Sequence, residues 1–153
     1  MTARNRGIVL GVAQCVLVLS VAGKYAWDRE RLPRVWARTV VVDPNLPIRG
    51  RYLALQLEVA PTEGLVNWGM AKLSVENGQL VARAASQGLR VMRPRSVWVL
   101  GDVVPFFVAE HAEDPRKAGT ELWVEVSVPE NGPPRAIRLG VKKDGVLTEW
   151  NGQ

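Results

Sequence analysis

Residues 71–85 read AKLSVENGQLVARAA, and the Asn77-Gly78 pair at their centre predicts a β-hairpin. An Asn-Gly pair supplies the two consecutive positive φ angles of a type I′ turn, whose twist matches that of the strands it joins. The residues on either side, 71–76 and 79–85, are therefore expected to form paired antiparallel strands.

Alternating hydrophobicity extends this β pattern through the rest of the carboxyl-terminal region. Leu53, Leu55, Leu57 and Val59 alternate with more polar residues, as in a strand with one buried face. Other strands are predicted at 35–42, ending at Asp43-Pro44, and at 96–100, 104–110, 121–128 and 135–141. Asp144-Gly145 marks another tight turn. Many short strands without a long helix predict a mainly β fold, a small antiparallel β-barrel or β-sandwich.

An apolar segment, Gly7 to Gly23, precedes this region. Extension of the segment to Trp27 gives it the length of a membrane-spanning helix, with Tyr25 and Trp27 at the level of the lipid headgroups. We therefore expect residues 1–27 to form an N-terminal membrane anchor, a transmembrane helix. Residues 28–34 are a polar linker in which Pro33 ends the helix, and residues 35–153 form the β-rich domain.

A cleaved secretory signal is the competing interpretation, because Ser20 and Ala22 stand three and one residues before a potential cut at Gly23. The orientation is also open. Two Lys or Arg residues precede the segment and five follow it closely, which by the positive-inside rule favours a cytoplasmic domain. A short basic tail followed by an apolar run favours export. We expect a single-pass protein of the cell membrane with an extracytoplasmic, periplasmic domain.

The net charge of +5 suggests a nucleic-acid partner only until its position is considered. Residues 1–38 carry the whole excess, next to the apolar segment, where cations meet lipid headgroups. Residues 39–153 contain 13 Lys or Arg and 13 Asp or Glu. The domain therefore lacks the basic footprint of a nucleic-acid-binding protein, and no nucleic acid is expected as a partner. The lipid bilayer is the expected partner instead.

The stretch GRYLALQL, residues 50–57, resembles the signature of the GDYXXLXY family of bacterial membrane-anchored proteins, which has no established activity. Gly50, Tyr52 and Leu55 match the signature, whereas Arg51 and Leu57 replace its aspartate and second tyrosine. The resemblance implies a multi-spanning membrane protein as a companion. It also implies a motif region made of Asp43, Pro44, Arg49, Gly50, Arg51, Tyr52 and Leu55.

No catalytic set, metal site or cofactor is predicted. His111 lies in a run of acidic residues, but it is the chain's single histidine, and catalytic zinc usually takes two or three nitrogen or sulfur ligands. Asp43, Asp102 and Glu110 could act as paired carboxylates, but Asp43 and Asp102 also suit turns. The one cysteine, Cys15, lies in the apolar segment.

Two functions are consistent with these patterns. The first is a non-enzymatic accessory or interaction module that is held at the membrane and partners a larger integral membrane protein. The alternative is an envelope enzyme or ligand-binding domain for an anionic small molecule or glycan. That alternative requires Arg49 and Arg51, together with Arg93 and Arg95, to converge, each pair being expected on one face of a strand. Protection of a sheet edge is the simpler role for these charges.

Overall fold

A computed structural model describes residues 3–41, 52–109, 112–115 and 119–152. The chain divides into two compact units, Met1–Leu32 and Pro33–Gln153. The first unit is helical and the second is built from strands, so the predicted mainly β fold with an N-terminal apolar helix is confirmed.

Helix α1 (Ala3–Arg31) has 29 residues. It contains the 21-residue span Gly7–Trp27, which is long and apolar enough to cross a membrane. Its apolar side chains are exposed, for example Leu10 at 71% and Leu19 at 68%. A membrane anchor and a signal sequence both fit this description. The helix ends before Pro33, whose ring cannot be accommodated in a helix interior.

The β unit consists of two curled sheets. Among the described residues, the first sheet has the strand order β11-β10-β9-β1-β2-β8, and the second has the order β3-β5-β4-β6-β7. Neighbouring strands are antiparallel except for β3 and β5. The strands are β1 (Arg34–Val41), β2 (Tyr52–Leu57), β3 (Ala60–Pro61), β4 (Trp68–Glu76), β5 (Gln79–Ala84), β6 (Leu89–Met92), β7 (Val99–Leu100), β8 (Val104–Phe107), β9 (Glu121–Ser127), β10 (Arg135–Lys143) and β11 (Val146–Glu149).

The chain passes from the first sheet to the second just after β2. Glu58 forms an isolated antiparallel bridge with Val99, and the Val59 amide donates a hydrogen bond to the Trp98 carbonyl at 3.0 Å. The side-chain amide of Gln56 also donates to the Leu100 carbonyl, at 3.1 Å. These bonds hold the end of β2 against β7, so that the two sheets share one core.

Inward-facing aliphatic side chains from both sheets form this core. Leu57, Val91, Val124 and Leu139 are each at most 1% exposed. Burying one such side chain stabilises the fold by about 1.5–3 kcal/mol. Thr39 is the buried polar residue on β1, and its hydroxyl donates to the Leu122 carbonyl at 2.9 Å. The alternation read from the sequence thus corresponds to the inner and outer faces of the sheets.

Both predicted tight turns are confirmed. Asn77 and Gly78 have φ angles of 50° and 73° and join β4 to β5. Asp144 and Gly145, with φ angles of 50° and 84°, join β10 to β11 in the same way.

Several predicted strands are shorter in the structure. The strand expected at 96–100 is wrong in its first half, because Pro94–Ser96 forms a 3-10 turn, η1, and β7 contains only Val99 and Leu100. Arg95 and Ser96 have positive φ angles, which a strand does not permit. The strand expected at 104–110 ends at Phe107. Strands β3, β6 and β11 were not predicted.

Candidate functional site

The described part of the motif region lies on β2, between β1 and β8. Leu55 is opposite Val41 on one side and Val104 on the other, and it is only 3% exposed. Tyr52, at the start of β2, is opposite Phe107. Leu55 is therefore a core residue. The remaining motif residues, Asp43, Pro44, Arg49, Gly50 and Arg51, lie outside the described residues.

The structure places Arg93 and Arg95 on an exposed turn. The expectation that they share one face of a strand is wrong, because β6 ends at Met92 and Pro94 begins η1. Arg95 has a φ angle of 51°, in the left-handed region. The Arg93 side-chain Nε donates a long hydrogen bond, 3.4 Å, to the Ser96 carbonyl. Arg49 and Arg51, their expected partners, lie outside the described residues.

The most exposed apolar side chains of the second sheet lie next to this turn. Trp68 and Met70 are on β4, on the opposite face from Ala71, which is fully buried. On β6, Met92 is directly opposite Trp68, and Arg90 is opposite Met70. Residues paired in this way lie on the same face of a sheet. We call this surface the outer face: Trp68, Met70, Lys72, Arg83, Arg90 and Met92.

A backbone hydrogen bond connects the arginine turn to the outer face. The Arg93 amide donates to the Asn67 carbonyl at 2.8 Å, and Asn67 directly precedes Trp68. Val66, on the other side of Asn67, is 75% exposed, as is Trp68. The turn that carries the two arginines therefore lies beside an exposed valine and tryptophan. The sequence does contain a signal for these apolar neighbours of the arginines, because Trp68 and Met70 continue the outward alternation of the 71–76 strand.

The outer face and its adjoining turn are strongly basic within a neutral domain. Residues 68–100 contain five Lys or Arg residues and one acidic residue, Glu76. Glu76 binds Arg83, with Nη2 of the arginine 2.9 Å from Oε1 and 3.0 Å from Oε2. A hydrogen bond from the Ser74 hydroxyl, followed by those from Arg83, lowers the pKa of Glu76. Within the described residues, the other four cations form no ion pair: Lys72, Arg90, Arg93 and Arg95.

A groove of about 590 Å³ adjoins the outer face at Lys72, between the turn that follows β5 and the loop between β9 and β10. Lys72, Gly88 and Leu89 line one side, and Glu130 and Asn131 line the other. Neither Arg93 nor Arg95 reaches it. The alternative function, in which these arginines line a concave anion site, therefore gains no support from this groove.

The described residues contain no cluster of three or more His, Cys, Asp or Glu side chains that could hold a metal ion. His111 and Glu110 lie outside them, as does Asp43. Asp102 is exposed, in a bend that follows Gly101. The acidic residues considered for paired-carboxylate chemistry are thus not brought together in the part of the chain that is described.

Comparison with known proteins finds no relative of this chain. No protein-family model, curated protein or solved structure matches the chain. The resemblance to the GDYXXLXY family thus rests on Gly50, Tyr52 and Leu55 and on the apolar segment that precedes them.

Proposed function

We propose that this protein is a membrane-anchored interaction module. Helix α1 holds it in the bilayer, and its β domain partners a larger integral membrane protein on the extracytoplasmic side. The observation that carries this proposal is the exposure of the apolar side chains along Gly7–Trp27, followed by β1 after only Leu32 and Pro33. A helix with apolar side chains all round is stable where lipid covers it.

The dimensions and the ends of α1 support an anchor. At 1.5 Å per residue, the 21-residue span is about 31 Å long, close to the thickness of the hydrocarbon core. At its carboxyl end, the Arg31 guanidinium lies 4.0 Å from the centre of the Trp27 ring. A tryptophan with an adjacent cation suits the headgroup region.

The position of the motif strand suggests where the partner binds. The described part of β1 ends at Val41, and β2 begins at Tyr52, opposite Phe107 on β8, the edge strand among the described residues. Phe107 is 79% exposed. We assign the contact with the partner to this end of the sheet, in agreement with the companion protein that the family resemblance implies.

Site-specific crosslinking tests the partner. A photoreactive amino acid is placed at Phe107 in the full-length chain, and at Val146, which is 67% exposed on the opposite edge strand β11, as a matched control. Irradiation of native membranes, followed by purification in mild detergent, should give one integral membrane protein crosslinked at Phe107 and none at Val146. Absence of any crosslinked or co-purifying membrane protein would overturn the proposal.

Labelling of an introduced cysteine tests the side of the membrane. In a Cys15→Ala background, Val146→Cys supplies the only thiol of the chain. A membrane-impermeant maleimide added to intact spheroplasts should label it without lysis. Labelling that appears only after lysis would place the domain in the cytoplasm.

Alkaline carbonate washing tests the anchor. The full-length protein should stay in the membrane pellet, and its release into the soluble fraction would contradict the anchor.

A further inference from the structure

We infer that the outer face of the second sheet binds the surface of an anionic bilayer. Trp68 and Met70 would lie among the lipid headgroups, and the cations around them would contact lipid phosphates. This inference rests on the proposed anchor, because the anchor would keep the domain close to the bilayer surface at all times.

The apolar part of the surface has the composition of a membrane-interface site. Trp68 is 75% exposed and Met70 is 40% exposed, on one face of β4, with Val66 exposed on the turn before them. A tryptophan ring on a soluble surface leaves a large apolar area in water, whereas at the headgroup level its apolar body and its N–H group are both accommodated. The flat face of a strand presents these side chains together, as the apolar face of an interfacial helix does.

The charged part of the surface is complementary to lipid phosphate. Lys72 and Arg83 lie directly opposite each other on β4 and β5, an arrangement of like charges that destabilises a sheet. Glu76 compensates Arg83, but within the described residues Lys72 and Arg90 form no ion pair. Arg93 and Arg95 add two more cations on the adjoining turn, where the Arg93 amide is bonded to the Asn67 carbonyl. An anionic surface relieves this repulsion and neutralises the remaining charges together.

The anchor makes a bilayer the favoured occupant. Three peptide steps separate Arg31 at the end of α1 from Arg34 at the start of β1, and they span at most about 11 Å. An anchored domain therefore meets lipid at a high effective concentration, so weak contacts suffice for binding. A separate acidic protein would have to compete with this permanent neighbour. We accordingly assign the outer face to lipid and the Phe107 end of the first sheet to a protein partner.

Spin labelling of the full-length chain, reconstituted into lipid vesicles that contain no other protein, tests the inference. A nitroxide is attached at Met70→Cys in a Cys15→Ala background, and power saturation compares its accessibility to oxygen and to a water-soluble nickel chelate. The vesicles are pure phosphatidylcholine or a mixture of phosphatidylcholine and phosphatidylglycerol. Val146→Cys on β11 is the matched control, and a label on the native Cys15 reports insertion of α1.

In mixed vesicles, we expect the Met70 label to lose most of its accessibility to nickel and to gain accessibility to oxygen. In pure phosphatidylcholine, it should remain as water-exposed as the Val146 label, which should not respond to lipid composition. Adding Arg90→Gln and Arg93→Gln, or Trp68→Ala, should return the Met70 label to water in mixed vesicles. These side chains are exposed, so unchanged far-ultraviolet circular dichroism is expected.

Three results would overturn the inference, and they are distinguishable. A Met70 label that stays in water in mixed vesicles, while the Cys15 label is in lipid, contradicts the lipid contact but leaves the anchor intact. A Cys15 label in water contradicts the anchor and, with it, both proposals. If the Met70 label loses its accessibility to nickel in native membranes but not in vesicles that lack other proteins, a protein rather than lipid covers the outer face.

Discussion

Nε of Arg138 on β10 lies 2.7 Å from Oε2 of Glu125, a carboxylate on β9 whose side chain is only 10% exposed. A second arm, Nη1, lies 2.9 Å from Oε2 of Glu149, and the guanidinium carbon lies 5.7 Å from the centre of the Trp36 ring. The hydrogen bond and the charge of Glu125 raise the pKa of Arg138. One arginine thereby connects side chains from four neighbouring strands, β1, β9, β10 and β11.

This network predicts that Arg138→Met destabilises the fold more than Arg83→Met does. Arg138→Met leaves the buried carboxylate of Glu125 without its cation, which is costly, whereas Arg83→Met leaves the exposed Glu76 in water. Thermal unfolding of the two variants measures the difference. Equal melting temperatures would show that water compensates Glu125 as well as it compensates Glu76.

Leu55→Ala tests the role of the motif residue that the structure describes best. Its side chain is 3% exposed in the core, so truncation should lower the free energy of unfolding by about 2–5 kcal/mol. Leu53→Ala, at a partly buried position on the same strand, is the control and should cost less. Denaturant titration followed by tryptophan fluorescence gives both values. A loss of partner crosslinking at normal stability would instead assign Leu55 to recognition.

Gly88→Ala and Gly140→Ala should differ because their neighbours differ. A Cβ at Gly88 would collide with the backbone carbonyl oxygen of Ala71 in the middle of the second sheet. A Cβ at Gly140 would lie 2.9 Å from Cζ3 of Trp36 and 3.0 Å from Cδ1 of Leu147, both of which are side-chain atoms.

Because side chains can shift, Gly140→Ala should lower the free energy of unfolding by about 1–3 kcal/mol. Gly88→Ala should lower it by more, because a backbone atom cannot move aside as easily. Denaturant unfolding of the two variants ranks them. The reverse order would mean that the turn carrying Gly88 moves away from β4 more easily than Trp36 turns.

Glu76→Gln should remove a pH-dependent contribution to stability. The pKa of Glu76 is lowered in the fold, first by the Ser74 hydroxyl and then by Arg83, so its contribution is complete above the ordinary glutamate pKa. It is lost as the pH falls through the lowered value. The difference in melting temperature between the wild type and Glu76→Gln should therefore be present at neutral pH and disappear in acid.

Ser74→Ala is the control for this profile. Removing the hydroxyl takes away the largest contribution to the shift, so the pH dependence should move back toward the ordinary glutamate range. A melting-temperature difference that persists in strong acid would show that packing, rather than ionisation, explains the effect of Glu76→Gln.

The sequence predicted those parts of the fold that local chemistry determines. Asn77-Gly78 and Asp144-Gly145 turn where expected because few residue pairs adopt two positive φ angles. Leu55 and Leu57 are buried because alternation fixes which face of a strand meets the core. The apolar helix followed from hydropathy and length alone.

Features that depend on distant contacts were missed. β3 has two residues and exists because it pairs in parallel with β5, a pairing without a local signal. β6 has four residues, one of them Arg90, too few for alternation to stand out. The placement of Arg93 and Arg95 beside Trp68 depends on the hydrogen bond from the Arg93 amide to the Asn67 carbonyl, across 26 positions of the chain. The basic outer face was also missed because the net charge of residues 39–153 is zero. Acidic residues elsewhere in the domain balance the positive charge of this face.

The attachment of α1 to β1 has a mechanical consequence. β1 lies in the interior of the first sheet, with β9 on one side and β2 on the other. Within the described residues, β1 pairs with β9 along Arg34–Arg38 and with β2 along Thr39–Val41. Under the proposed function, a pulling force between the bilayer and a partner would enter the domain at Arg34 and load the β9 ladder first. The β2 ladder would carry load only after the first five residues of β1 had separated from β9.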